Sequence, residues 1–309
     1  MSKTAFLFAG QGAQAVGMGK DLAEKYPVAG QWFERANAAL GYDLAGICFN
    51  GPEVELTKTE NAQPGIFLVS WIALELLKEQ IPALKPDATA GLSLGEFTAL
   101  TAAGSMNFDD CLKVLRVRGR SMQEACEATR GSMAAIIGLE EAPTREVCAK
   151  ADVQLANLNC PGQLVISGEL EKINQACELA KARGAKRALP LPVAGAYHSR
   201  LMTSAQPKLA AALDAAALNA PSVPVVSNVT AQPHGSPNEI KARLVEQVTA
   251  SVRWEDSIRY LLGQGFTRFI ELGPGTALTG FMKRIDKTAQ VLNVADAASL
   301  DATVQALKA

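Results

Sequence analysis

Short apolar runs alternate along this chain with longer stretches in which apolar residues recur at helical spacing. The runs predict strands at 4–8, 88–90, 223–227, 268–271 and 290–293. The helical stretches lie at about 18–25, 31–40, 63–80, 108–127, 199–217, 237–247, 254–262, 276–285 and 298–308. Strands that alternate with helices predict an α/β fold built on a parallel sheet.

The middle of the chain has a different rhythm. Predicted strands at 132–137, 154–158, 163–167 and 185–189 surround predicted helices at 143–150 and 170–183, and Pro161-Gly162 would turn the central hairpin. The order βαββαβ is that of a ferredoxin-like unit. We therefore predict a small ferredoxin-like domain, 128–191, inserted into a large α/β catalytic domain made of 1–127 and 192–309.

Composition narrows the classes of function. The 309 residues are 48% apolar, and Lys+Arg 30 against Asp+Glu 31 give a net charge of −1, so there is no global charge for nucleic acid or an anionic membrane. The six cysteines are scattered, without C-x-x-C or a nearby histidine, and predict reduced thiols and no metal site. Apolar runs are too short for a signal peptide or a membrane span, so we expect a cytoplasmic protein.

The stretch Gly91-Leu92-Ser93-Leu94-Gly95 follows a predicted strand and precedes helix-forming residues 96–103. In that context Gly-x-Ser-x-Gly is a nucleophile elbow, in which a sharp turn lifts the serine hydroxyl out of the sheet. The following helix directs unpaired N–H groups at the same point. The alternative is a glycine-flanked turn in which Ser93 only caps a helix.

A second glycine loop, Gly10-Gln11-Gly12, follows the first strand. A dinucleotide site would need a further strand ending in an acidic residue about twenty positions later, and 31–40 is predicted to be helical. The alternative function is that Gln11 donates its backbone N–H to an oxyanion. We expect no cofactor.

Arg118 is the only charge on the apolar side of the helix predicted at 108–127. A buried guanidinium requires an anionic partner, because an unpaired buried charge is costly. One alternative is a structural Asp or Glu. The other is the carboxylate of a substrate, which arginine can bind with two parallel hydrogen bonds.

Only two histidines could serve as a base at neutral pH. His234 lies in the polar turn 232–237 and is expected at the surface. His198 follows a glycine-rich connector and precedes a predicted helix, so it is the candidate partner of Ser93, although a lone histidine can also be purely structural.

Several motifs occur in order along essentially the whole chain, and together they resemble the bacterial malonyl-CoA:acyl carrier protein transacylases. They are Gly10-Gln11-Gly12-Ala13-Gln14, Gly91-Leu92-Ser93-Leu94-Gly95-Glu96, Val117-Arg118-Gly119-Arg120-Ser121-Met122-Gln123, Asn159-Cys160-Pro161-Gly162-Gln163, Gly195-Ala196-Tyr197-His198-Ser199 and Glu271-Leu272-Gly273-Pro274-Gly275. The resemblance implies an acyltransferase with an α/β-hydrolase-like sheet.

The resemblance also implies a role for each matching residue. Ser93 would carry the acyl group, with His198 as general base and then acid, and Arg118 would bind the malonate carboxylate. The implied oxyanion donors are the backbone N–H groups of Gln11 and Leu94. The remaining positions are Gln247, whose main-chain carbonyl would orient the histidine, and Gln63, Met122 and Tyr197, which would line the substrate pocket.

The implied reaction is ping-pong. Malonyl-CoA would acylate Ser93, and the phosphopantetheine thiol of holo acyl carrier protein would then take the malonyl group to supply fatty acid synthesis. Malonyl-CoA and acyl carrier protein are the expected partners of a monomer. Lys186, Arg187 or Arg200 are candidates for docking the acidic carrier protein.

Two positions depart from the commonest family pattern. Leu92 replaces a histidine found in many members, and Tyr197 stands where malonyl-selective relatives often have phenylalanine, so its hydroxyl needs a partner. The competing interpretation is a serine hydrolase of the α/β-hydrolase class, which places an acidic residue and then a histidine after the serine. The inserted ferredoxin-like unit and the early position of His198 fit that class poorly.

Overall fold

A computed structural model describes residues 2–308 of the chain, so the predicted domain ends at residues 1 and 309 lie outside it. The strands are β1 (Lys3–Phe8), β2 (Ala88–Gly91), β3 (Gly131–Ile137), β4 (Gln154–Cys160), β5 (Gln163–Glu169), β6 (Arg187–Pro190), β7 (Val225–Val226), β8 (Phe266–Leu272) and β9 (Gln290–Val294). The first helices are α1 (Lys20–Lys25), α2 (Pro27–Leu40), α3 (Leu44–Asn50), α4 (Glu53–Thr57), α5 (Thr59–Gln80), α6 (Leu94–Ala102) and α7 (Phe108–Glu127). The later helices are α8 (Glu141–Ala151), α9 (Leu170–Ala182), α10 (Gln206–Ala215), α11 (Pro237–Gln247), α12 (Trp254–Gly263), α13 (Ala277–Ile285) and α14 (Ala297–Lys308).

The larger sheet is parallel and has the order β7-β2-β1-β8-β9. Its strands are apolar on both faces because helices cover both sides, as a parallel sheet requires. Phe8 at the end of β1 is in register with Gly91 at the end of β2. The loops that begin at Gly10 and Leu92 therefore leave the same edge of the sheet, side by side.

The second sheet is antiparallel, with the order β4-β5-β3-β6. Its strands and the helices α8 and α9 follow one another as βαββαβ, and the apolar faces of both helices and the sheet form a separate core. Gly162 adopts a positive φ of 65° in the turn between β4 and β5. These observations confirm the predicted α/β fold with a ferredoxin-like unit.

Helix α5 begins earlier than the sequence predicts. The prediction placed Pro64 in the first turn, but the helix starts at Thr59 and Pro64 lies inside it. Residues 59 and 61–63 are buried, so tertiary packing favours the helical conformation ahead of the proline. In this position the proline costs one backbone hydrogen bond close to the start of the helix.

The long helix predicted at 199–217 is also divided. A 3₁₀ helix spans Arg200–Ala205, capped by the Ser199 hydroxyl, and α10 begins at Gln206. Pro207 explains the division, because a proline is favoured in the first turn of a new helix and disfavoured in the interior of a continuous one. Among residues 2–308, no helix combines the length and the apolar character needed to cross a bilayer.

Candidate active site

Ser93 lies at a sharp turn between β2 and α6, with φ 54° and ψ −106°. The turn is tight because glycines surround it. A Cβ on Gly91 would lie 2.0 Å from the carbonyl of Gly95, and a Cβ on Gly95 would lie 2.3 Å from the carbonyl oxygen of Phe8. The two glycines therefore allow the backbone contacts that hold the serine in a conformation uncommon for a non-glycine residue.

His198 and Ser93 form a hydrogen-bonded pair. The distance from Ser93 Oγ to His198 Nε2 is 2.8 Å, and His198 Nδ1 lies 2.9 Å from the carbonyl oxygen of Gln247. A carbonyl can only accept, so Nδ1 carries the proton and Nε2 is free to accept the serine hydroxyl proton. The orienting group is a main-chain carbonyl, whereas the serine-hydrolase alternative requires a carboxylate at this place.

The environment of His198 keeps the imidazole neutral. Burial is the main cause that lowers its pKa to about 4, and the positive charge of Arg118 lowers the pKa further. The carbonyls of Gln247 and Ala250 act in the opposite direction. At pH 7 the ring can therefore accept a proton from Ser93, which is what a general base must do.

Gln11 and Leu94 supply two backbone amides at the edge of the sheet that carries the serine. Leu94 is the first residue of α6, directly after Ser93, and Gln11 follows β1 at the same edge of the sheet. Within residues 2–308, neither amide N–H donates to a backbone carbonyl. The Gln11 side chain is held by a hydrogen bond of 3.3 Å from Nε2 to Thr59 Oγ1. Their role as oxyanion donors stays a prediction.

Arg118 is buried, with 1% of its surface exposed, and its guanidinium meets neutral groups. Nη1 donates to Gln63 Oε1 at 2.6 Å, and Nη2 donates to Gln247 Oε1 at 2.8 Å and to Ser93 Oγ at 3.1 Å. Nε is buried and has no partner among the described residues. Within residues 2–308, Arg118 forms no direct ion pair with an Asp or Glu, so that alternative is not observed.

Burial also changes the ionisation of this guanidinium. It lowers the pKa of Arg118 to about 10, and the negative charge of Glu96 counteracts the decrease. The side chain remains charged at neutral pH. A cation in this state, beside the nucleophile and with an unused N–H group, can bind an anion.

The remaining predicted pocket residues surround this cation. Met122 Sδ accepts a hydrogen bond of 3.5 Å from Gln63 Nε2. The hydroxyl of Tyr197 finds the partner that the sequence could not identify, since it lies 2.5 Å from Thr59 Oγ1. Burial raises the pKa of Tyr197 to about 12, so its hydroxyl stays protonated.

The prediction that His234 lies at the surface is wrong. Its side chain is fully buried, and Nε2 lies 2.6 Å from Glu96 Oε1. The turn that contains it folds back on the sheet, because the N–H of His234 donates to the carbonyl of Val225 at 2.8 Å. The polar composition of the turn gave no indication of this contact.

Sequence reasoning also missed Glu96 and Asn228. The side chain of Asn228 accepts the backbone N–H of Ser93 at 2.6 Å and donates to the carbonyl of Gly91 at 2.8 Å, so it fastens the turn. Glu96 is the only charged residue in the buried helix α6. A single charge on the apolar side of a helix was the signal that identified Arg118, and a single charge in an otherwise apolar helix could have identified Glu96.

The candidate docking residues differ in their surroundings. Arg200 makes a two-pronged ion pair with Asp152, with Nη1 and Nη2 each 2.7 Å from a carboxylate oxygen. Lys186 and Arg187 are exposed at the edge strand β6. Of the three, the two residues beside the edge strand are the better candidates for an acidic partner.

Comparison with known proteins gives a consistent result. The model of the acyl transferase domain family matches residues 5–304. The malonyl CoA-acyl carrier protein transacylase of Bacillus subtilis is 45% identical over 313 residues, covering 100% of this chain and 98% of that protein. The protein of the same name from Escherichia coli K12 is 44% identical over 299 residues, covering 95% and 96%.

Solved structures agree over nearly the full length. The acyl-carrier-protein-S-malonyltransferase of Bartonella henselae superposes with a TM-score of 0.94 at 40% identity, covering 99% of this chain and 100% of that one. A malonyl-transacylase solved in complex with a type II PKS acyl-carrier protein superposes with a TM-score of 0.95 at 39% identity, covering 99% and 100%.

Proposed function

The chain belongs to the malonyl CoA-acyl carrier protein transacylase family, and on this premise we propose that it transfers malonyl from malonyl-CoA to holo acyl carrier protein. The acceptor is the phosphopantetheine thiol, and the intermediate is malonyl-Ser93. The observation that carries this proposal is the placement of the Ser93–His198 pair beside a buried cation, with Arg118 Nη2 3.1 Å from Ser93 Oγ.

In the first half-reaction Ser93 Oγ attacks the thioester carbonyl while His198 Nε2 accepts the hydroxyl proton. The carbonyl oxygen becomes an oxyanion, which the N–H groups of Gln11 and Leu94 and the N-terminus of α6 stabilise. The C–S bond then breaks, His198 returns the proton to the sulfur, and CoA leaves. Malonate remains as an ester on Ser93.

The second half-reaction repeats these steps with a new nucleophile. The phosphopantetheine thiol gives its proton to His198 and attacks the ester carbonyl. The tetrahedral intermediate collapses by breaking the bond to Ser93 Oγ, which recovers the proton. Both half-reactions place an oxyanion at the same point, so one pair of amides serves both.

Arg118 provides the preference for malonyl. The free carboxylate of a malonyl ester is separated from Ser93 Oγ by a short chain, and the guanidinium lies within hydrogen-bond distance of that oxygen. An acyl group without a carboxylate would leave the buried cation without an anion, which is a large penalty. Tyr197, whose hydroxyl is fixed by Thr59, would restrict the space for a branched methylmalonyl group.

Related proteins support the choice of partner. A relative of this fold is solved with an acyl carrier protein bound. We propose that the enzyme acts as a cytoplasmic monomer without a cofactor, supplies fatty acid synthesis, and docks its acidic carrier through Lys186 and Arg187. Charge reversal at both Lys186 and Arg187 should raise the KM for carrier protein and leave malonyl loading from malonyl-CoA unchanged. An unchanged KM for carrier protein would exclude this docking surface.

Intact mass spectrometry after brief mixing tests the function. Malonyl-CoA should add one malonyl group to the native enzyme and none to Ser93→Ala, and holo acyl carrier protein should then remove it. Acetyl-CoA and methylmalonyl-CoA should load poorly. Equal loading of acetyl and malonyl groups would contradict the proposed specificity, and an adduct that persists in Ser93→Ala would contradict the nucleophile.

A further inference from the structure

A buried carboxylate lies directly beneath the nucleophile turn. Glu96 in α6 has no exposed surface, and three N–H groups converge on its two oxygens. Oε2 accepts the backbone N–H of Asn228 at 3.0 Å and the side-chain N–H of Gln247 at 2.7 Å, while Oε1 lies 2.6 Å from His234 Nε2. Groups of the protein itself therefore satisfy the hydrogen-bonding capacity of this buried carboxylate.

The surroundings of His234 define which nitrogen carries its proton. Nδ1 is buried and has no partner among the described residues, so a proton there would be unsatisfied. Nε2 faces an acceptor-only carboxylate. Nε2 therefore carries the hydrogen that His234 donates to Glu96.

Glu96 in turn determines how the Gln247 side chain is oriented. Gln247 Nε2 donates to Glu96 Oε2 at 2.7 Å and to the carbonyl of Ser93 at 3.0 Å. With both donor positions used on this side, the oxygen of the amide must point the other way, where it accepts from Arg118 at 2.8 Å. A flipped amide would direct N–H groups at a guanidinium and an oxygen at a carboxylate.

The arrangement places a negative charge close to Arg118 without letting it contact the guanidinium. A carboxylate in direct contact would saturate the guanidinium and compete with a substrate anion. With the neutral Gln247 amide between the two charges, Glu96 offsets the charge of Arg118, and the guanidinium can still bind a substrate carboxylate.

We propose that Glu96, held by His234, is a positioning residue for acyl selection, because it orients Gln247 so that Arg118 stays available for the substrate carboxylate. This proposal rests on the proposed malonyl transfer. Glu96 touches neither the substrate nor the reacting atoms, and it acts through the amide of Gln247.

The decisive measurement is the ratio of loading rate constants, kcat/KM for malonyl-CoA divided by that for acetyl-CoA, obtained by rapid quench and intact mass. In Glu96→Gln the amide of residue 96 can no longer accept all three donors, so Gln247 loses its fixed orientation. We expect the ratio to fall about tenfold or more, as expected for a lost hydrogen bond to a charged group. A residue with a merely structural role would slow both substrates equally and leave the ratio unchanged, which would overturn the proposal.

Glu271→Gln is the matched control. Glu271 is also a buried carboxylate, with 1% exposure, and it accepts the N–H groups of Leu278 and Thr279 at the start of α13. Its replacement removes a buried charge elsewhere in the fold. The ratio in this variant should equal that of the native enzyme, and an equal fall in both variants would also overturn the proposal.

A pair of substitutions at His234 decides the matter if Glu96→Gln does not fold. His234→Gln retains an N–H donor for Glu96, and His234→Leu removes it. The malonyl-to-acetyl ratio should fall several-fold in the leucine variant and be restored in the glutamine variant, and equal ratios would overturn the proposal. The native enzyme is measured first: if it does not load malonyl, the proposed function fails, whereas native loading with unchanged ratios defeats only the role of Glu96.

Discussion

Replacing Arg118 by methionine tests the proposed carboxylate clamp most directly. Methionine keeps an unbranched apolar chain in the buried position and removes the charge. Burial lowers the pKa of Arg118 from its ordinary 12.5 to about 10. Each pKa unit corresponds to 1.36 kcal/mol, so burial disfavours the charged form of Arg118 by about 3 kcal/mol. A substrate carboxylate bound to the guanidinium can offset an energetic cost of this size.

An energy of about 3 kcal/mol corresponds to roughly a hundredfold in rate. We therefore expect kcat/KM for malonyl loading of Arg118→Met to fall about a hundredfold. Loading of acetyl-CoA should change little, because it has no carboxylate to lose a partner. The assay is rapid quench with intact mass detection, with both thioesters measured on each variant.

The same burial predicts an unusual result for stability. Removing the cation ends its desolvation penalty, but it leaves the side-chain oxygens of Gln63 and Gln247 without a donor, at about 1–3 kcal/mol each. These effects have opposite signs and similar size. The thermal midpoint of Arg118→Met should therefore stay close to that of the native enzyme, despite the loss of a fully buried side chain.

Arg116→Met provides the control on the same helix. Its guanidinium lies 4.0 Å from the Glu60 carboxylate and 4.2 Å from the centre of the Tyr42 ring, so it has partners of its own. The ratio of malonyl to acetyl loading should not change in this variant. If Arg118→Met slowed both thioesters by one common factor, the arginine would be a structural residue and the reasoning would be refuted.

Three further predictions concern the base, the turn and the pocket wall. Because the pKa of His198 in the free enzyme is held at about 4, kcat/KM for malonyl loading should be constant from neutral pH to about 5. The unfolded chain binds that proton more readily, so stability present above pH 6.5 is lost towards pH 4. Thermal unfolding of His198→Asn should lack this loss. In Gly95→Ala the new Cβ would lie 2.3 Å from a carbonyl oxygen of β1, so the free energy of unfolding in urea should fall by about 3 kcal/mol or more. In Gly263→Ala, where a Cβ in the helix meets no atom within 4 Å, the free energy of unfolding should rise by about 0.5–1 kcal/mol. Tyr197→Phe removes the hydrogen bond to Thr59, so the free energy of unfolding should fall by about 1 kcal/mol. The variant should still discriminate against methylmalonyl-CoA when malonyl-CoA and methylmalonyl-CoA compete for loading.

Local patterns account for the parts of the fold that the sequence predicts well. Helix α7 spans the predicted residues, because Asn107 caps it by accepting from Asp110 and its apolar face repeats at helical spacing. The nucleophile turn is predictable from its glycine spacing, although Phe8 and Asn228, which contact it, come from distant parts of the chain. The order βαββαβ can be predicted from the alternation of strand and helix periodicity in the apolar residues alone.

Features that depend on distant segments were not predictable in this way. Residues 59–63 are helical because they pack against the interior. Their own sequence holds no signal for this, and Pro64 alone predicts that the helix begins at that proline. His234 is buried because its turn folds against β7, which places it beside a carboxylate 138 residues away in the chain. The side-chain contacts of Gln247 likewise join three separate helices.

The charge that we propose to select the substrate also acts on the proposed base, His198. The positive charge of Arg118 is one of the causes that lower the pKa of His198, which makes the imidazolium harder to form. A malonyl carboxylate on the guanidinium offsets that charge, so we expect the pKa of His198 to rise when the correct acyl group is bound. An acetyl group would leave the pKa low and the base weak. A carboxylate hydrogen-bonded to Nδ1, as in a hydrolase triad, would stabilise the imidazolium with either acyl group and reduce this difference in pKa. The neutral carbonyl of Gln247 at that position preserves the difference.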